Sequence, residues 1–142
     1  MTYRRVFLDA NVIADIYDKN RPFYSQSREA IKILSANKNV TLFTSCDIIT
    51  TLYYILSKSG KNEALDAIIK INELCSVVEF ANDEIAESCQ LMKSNKNFKD
   101  LEDTIQFVMA KKVGCDLILS NDKGFVSEGI VLMGSGEFIK SS

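Results

Sequence analysis

The residues that could do chemistry in this chain are carboxylates placed where short apolar runs end. Val6-Phe7-Leu8 empties into Asp9-Ala10-Asn11, and Leu117-Ile118-Leu119 empties into Ser120-Asn121-Asp122. A strand apolar throughout is buried on both faces, as in a parallel sheet wrapped by helices. In such sheets the active crevice lies beyond the carboxyl ends of the strands. The fold itself would then deliver Asp9 and Asp122 to one rim. Between them, Asp100-Leu101-Glu102-Asp103 opens an apolar helix. Asp100 and Asp103, three apart, share a face of its first turn, while Glu102 is rotated toward solvent. Clustered carboxylates raise one another's pKa, and a cation relieves that repulsion. Magnesium or manganese suits such a rim of hard oxygen donors.

Each acid also has a local reading. Asp9 or Asn11 could cap the helix that follows. Acids in a first helical turn are favoured by the macrodipole, and Asp122 could serve a turn. The joint placement argues for more than capping. Asn11, Ser45 and Asn121 stand beside the acids and could orient waters or a phosphate oxygen, although Ser45 also reads as a helix cap. Gln106 continues the Asp103 face as a polar stripe, opposite a buried stripe of Leu101, Ile105, Val108 and Met109. Lys93, Lys96 and Lys99 precede the acids and could hold a phosphate backbone.

The composition excludes much. The chain has 142 residues and no histidine. Ser-His-Asp hydrolysis, Cys-His proteolysis and histidine-based ribonuclease chemistry are therefore closed to it. Its net charge of −2 denies it a broad basic footprint for nucleic acid. Cys46, Cys75, Cys89 and Cys115 form no C-x-x-C pair and read as reduced core thiols, which fits a cytoplasmic protein. No apolar run approaches the roughly 20 residues that span a bilayer, and the brief run before Asp9 does not make a signal peptide. An aspartate-nucleophile phosphatase is prompted by Asp9-Ala10-Asn11. That chemistry usually needs a second acid where Asn11 stands.

The elements that must position these residues alternate. Strands are expected near Arg4–Leu8, Val40–Thr44, Ser76–Phe80, Leu117–Leu119 and Ile130–Met133. Helices are expected at Asn11–Tyr17, Phe23–Ala36, Asp47–Ser57, Lys61–Leu74, Asn82–Lys93 and Asp100–Lys112, with a short one near Glu137–Ile139. Lys93–Lys99 reads as a loop, and Gly114 as the stop of the acid-headed helix. Tyr53, Tyr54 and Leu56 read as core or a subunit contact. The length fits one domain, residues 1–142, and the alternation predicts a parallel α/β sheet.

Several stretches follow one another along nearly the whole chain: Phe7-Leu8-Asp9-Ala10-Asn11-Val12, Thr44-Ser45, Asp103-Thr104-Ile105-Gln106 running to Ala110, Gly114-Cys115-Asp116, and Leu119-Ser120-Asn121-Asp122-Lys123-Gly124-Phe125. In this order they resemble the PIN-domain nucleases, which include the VapC-type toxins of bacterial toxin–antitoxin pairs. The resemblance implies a Rossmann-like α/β/α sandwich with a central, mostly parallel five-stranded sheet. It implies Mg²⁺ or Mn²⁺ as cofactor, RNA (usually single-stranded) as substrate, a homodimer, and a small antitoxin as partner. By position Asp9, Asp103 and Asp122 resemble the family's first, third and fourth acids and its metal ligands, and Asp100 resembles an extra catalytic acid of one branch. The chain departs from the pattern at Thr51, where the family usually has glutamate. Asp47 lies one turn earlier and could partly substitute. That departure motivates a second reading, a PIN-like module that binds RNA or a protein partner without cutting.

Overall fold

The computed structural model describes residues 3–142. Five strands form one sheet: β1 (Arg5–Leu8), β2 (Thr41–Ser45), β3 (Cys75–Val78), β4 (Leu117–Leu119) and β5 (Val131–Met133). Every pairing is parallel, in the order β3-β2-β1-β4-β5. Parallel neighbours need crossovers, and these are helices: α1 (Ala10–Asp15), α2 (Tyr24–Ser35), α3 (Ile48–Leu56), α4 (Lys61–Leu74), α5 (Asn82–Ser94) and α6 (Leu101–Lys112). A final helix, α7 (Ser135–Ser141), follows β5.

Side chains alternate across each strand and divide the core in two. Val6 and Leu8 of β1 pack with Ala30, Leu34, Ile48, Leu52, Ile71 and Phe138, from α2, α3, α4 and α7. Phe7, between them, packs on the opposite face with Phe43, Ile118 and the α6 residues Ile105, Val108 and Met109. The result is a three-layer sandwich. Strand order reverses between β1 and β4, since the chain adds β2 and β3 on one side and then returns to the other. Ligands of open α/β sheets bind at such a switch point.

The differences from the expected elements have local causes. α1 begins one residue early because the Asp9 carboxylate caps it through the Ala10 amide, and it ends before Tyr17. α4 runs directly into β3, whose residue Cys75 pairs with Leu42, so this strand lies at Cys75–Val78 rather than Ser76–Phe80. Lys93 belongs to α5, which continues to Ser94. Leu101 is 46% exposed instead of buried, because the first turn of α6 stands at the rim, beyond the strands that cover Ile105 and Met109. Cys89 is exposed on α5 beside Ile85, one turn away and also exposed. Cys75 and Cys115 are buried, which pushes their thiols up to about 12. Tyr54 is 75% exposed while Leu56 is buried, so the expected stripe splits between surface and core. Gly114 adopts φ +69° after α6, the left-handed stop that glycine makes without strain. No helix of the described residues is long and apolar enough to cross a membrane.

Candidate active site

Asp9 stands one residue past β1, with its backbone N–H donated to Leu119 of β4 at 3.0 Å. Its carboxylate is held at three points. Oδ1 accepts from the Ala10 amide at 2.7 Å. Oδ2 accepts from Ser120 Oγ and from Asn11 Nδ2, each at 2.7 Å. Asp9 is only 4% exposed. Burial raises its pKa first of all, and the charge of Asp122 adds to that against the lowering effect of its hydrogen bonds. Capping and chemistry are therefore compatible: one oxygen starts α1 while the side chain faces the charge of a distant acid.

Asp103 lies in the first turn of α6. Asp100 is the N-cap of that helix and accepts the Asp103 amide at 2.9 Å. Asp103 is half-buried, and its pKa is pushed up to about 7, by burial first and then by the charges of Asp9, Asp100, Asp122 and Glu102. Those four causes come from β1, the α6 start and the β4 loop, so the fold does bring the predicted acids into one field. Phe98, Asp100, Asp103 and Gly124 line one small cavity, tying the start of α6 to the loop of Asp122. Asp122 Oδ1 accepts the Gly124 amide at 2.8 Å and shapes that loop. Among the described residues, no three acidic or cysteine side chains converge closely enough to enclose an ion by themselves.

Glu102 is exposed, as expected of a side chain rotated toward solvent. Its carboxyl is raised by partial burial and then by Asp47, Asp100 and Asp9, so it shares the field of the rim. Thr51 is exposed on α3. Asp47 begins α3 without a side-chain cap bond, and its Oδ1 is shielded from solvent without a hydrogen-bond partner. Ser45 does not cap α3 either. It is fully buried at the end of β2, one strand from Asp9, with Oγ unpartnered. Gln106 is also fully buried, and its amide atoms have no partner. Lys93, Lys96 and Lys99 are all exposed.

The two asparagines face inward. Asn11 Oδ1 accepts the Asn121 amide at 3.0 Å. Asn121 Nδ2 donates to Asp15 Oδ2 at 2.9 Å and to the hydroxyls of Ser27 and Ser135 at 3.1 Å, and its Oδ1 accepts the Ser135 amide. Their side chains brace the loops around the acids. Asp15 is the centre of this bracing and was not singled out from the sequence. It is 2% exposed and pairs with Arg21 at 2.7 Å. Its only sequence signal is an acid that follows the apolar run Val12-Ile13-Ala14 of α1, six residues before an arginine.

The PIN domain model matches residues 6–127. Ribonuclease VapC1 of Aquifex aeolicus (strain VF5) is 49% identical over 138 residues, covering 97% of this chain and 95% of its own. Among solved structures, the Mycobacterium tuberculosis toxin VapC20, described as cleaving the sarcin-ricin loop, has a TM-score of 0.69 at 19% identity. The match covers 89% of this chain and 96% of that one. A chain of VapBC2 from Rickettsia felis, bound to a promoter DNA fragment, has a TM-score of 0.68 at 14% identity, with 92% and 98% covered. These two likenesses concern the fold. The PIN domain model over residues 6–127 and 49% identity along nearly the whole chain to a named VapC ribonuclease identify the chain as a member of the PIN-domain family.

Proposed function

We propose that this protein is a divalent-metal-dependent endoribonuclease and the toxin of a toxin–antitoxin pair. The carrying observation is Asp103, an aspartate held up to about 7 by burial and by the charges of Asp9, Asp100, Asp122 and Glu102. That repulsion is unfavourable in isolation and is relieved by a cation. The donors are all hard oxygens, which fits Mg²⁺ or Mn²⁺. Magnesium keeps several waters and binds through one or two carboxylates, so an open arrangement of acids suits it. Asp9, Asp103 and Asp122 are the residues that would hold the ion.

Such a cation supplies activation of a water and neutralisation of phosphate charge, both without histidine. The protein's own residues do the positioning. Ser120, Asn11 and the Ala10 amide fix the Asp9 carboxylate in one orientation. Asp100 holds the first turn of α6, and with it Asp103, at the rim. Near neutral pH Asp103 can hold a proton, which it must release before its carboxylate can serve a cation. Asp100 therefore acts on the reaction through Asp103 and through its charge. The 49% identity to a protein named a ribonuclease supports RNA as substrate, and the VapBC assemblies of similar fold support an antitoxin partner. Tyr54 on α3 and Ile69 on α4, 75% and 57% exposed on helices packed together, support a homodimer.

The test is cleavage of single-stranded RNA with Mg²⁺ or Mn²⁺ and with a chelator. Cleavage should require the ion. Asp9→Asn and Asp103→Asn should each lower it by about 10²–10³-fold, the scale of losing one preorganised transition-state contact. Parental, ion-dependent cleavage by either variant overturns the reading. Thr51 favours the alternative of a binding module, and RNA binding by the parent without ion-dependent cleavage would establish it.

A further inference from the structure

A cavity of about 380 Å³ opens beside Asp122, lined also by Phe23, Lys123, Phe125, Leu132 and Gly136. Phe23 is 39% exposed although its chain neighbourhood is firmly anchored. Arg21 pairs with the buried Asp15, and the Phe23 carbonyl accepts the first α2 bond from Ser27 at 2.8 Å. Asp15 and Ser27 both bond Asn121, the residue before Asp122 and Lys123. The buried network therefore clamps the loop that carries Phe23 to the loop that carries Asp122. Stability alone does not require a phenyl ring held open to solvent at that place.

The chain also has a difficulty with RNA. Its net charge is −2 and its site is acidic, so backbone electrostatics cannot supply much affinity. Stacking of bases on aromatic rings does not depend on net charge. Glu137, also on the cavity wall, carries only acceptors and disfavours a phosphate on its side. We propose that this cavity is a nucleobase subsite, in which a base flanking the scissile phosphate stacks on Phe23 while Lys123 meets the adjoining phosphate. The proposal rests on the ribonuclease reading and adds to it a place where the substrate strand is gripped.

The chain has no tryptophan, so Phe23→Trp introduces a single fluorophore at the subsite. In Phe23→Trp combined with Asp103→Asn, with a chelator present to stop the residual cleavage, a single-stranded oligoribonucleotide should quench the emission saturably. Phe23→Ala should raise KM by about 5- to 150-fold with little change in kcat, and Phe23→Tyr should recover most of the loss. Far-UV circular dichroism checks that each variant is folded, and Phe23→Leu carries the kinetic arm if the alanine variant is not. Emission unmoved by RNA that binds by anisotropy, or a parental KM in folded Phe23→Ala or Phe23→Leu, overturns the subsite alone. A parent that neither binds nor cuts RNA overturns the ribonuclease reading beneath it.

Discussion

At the scale of single residues, the account turns on charge kept close to charge. The Asp103 carboxyl sits at about 7 against an ordinary 3.8. Between those values the folded protein keeps a proton that the unfolded chain has lost. This contribution to stability is complete below 3.8 and disappears as pH rises through about 7. Without divalent ions, the parent should therefore lose melting temperature from about pH 5 to pH 8. Asp103→Asn should flatten that slope, as thermal melts followed by circular dichroism would show. A slope unchanged in the variant contradicts the burial of Asp103 among the other acids. Asp15 gives a separate test. Replacing it by alanine strands Arg21, Ser27 and Asn121, and losing one partner of a buried pair costs about 3–5 kcal/mol. Part of Arg21 reaches solvent, so urea unfolding should show the lower end of that range.

At the scale of elements, α6 carries the chemistry and Asp100 starts it. Asp100→Ala removes the cap and should cost about 1 kcal/mol in urea unfolding. Asp100→Asn keeps a capping oxygen and should be nearly as stable as the parent, so any loss of cleavage in it reports the missing charge. Equal stability loss in both variants would contradict capping. This helix also shows what the sequence could convey. The acid-headed start, the Gly114 stop and the all-apolar strands of Phe7 and Ile118 were legible, because cap chemistry and two-sided burial leave marks in residue types. The exposure of Leu101 and the full burial of Gln106 were not. Helical periodicity assigns a face, but where the neighbouring sheet ends is a tertiary fact. The direct passage from α4 to β3 was hidden for a similar reason, since no turn residue separates them. Asn121 read as able to orient a water or a phosphate oxygen because it stands beside Asp122; that its amide also bonds Asp15, 106 residues distant in sequence, was not legible.

At the scale of the whole molecule, sheet topology does what no local motif could. Adding β2 and β3 on one side of β1, then β4 on the other, sets Asp9 next to Ser120 and within the field of Asp122 and Asp103. The sequence made this rim foreseeable through right-handed crossovers between parallel strands. It did not reveal how openly the acids would stand. An ion that binds only the folded rim stabilises the entire fold by mass action. At a hundred times its Kd, Mn²⁺ should add about 2.7 kcal/mol to unfolding, and a chelator should remove that gain. Asp9→Asn should show little of it.

The most direct measurement is the anomalous diffraction of Mn²⁺ soaked into crystals of the full chain. The account places a manganese peak at the carboxyl ends of β1 and β4, reached by Asp9, Asp103 and Asp122 directly or through one water. Crystals of cleavage-competent protein that bind manganese elsewhere, or leave those three carboxylates without it at saturating concentration, would contradict it.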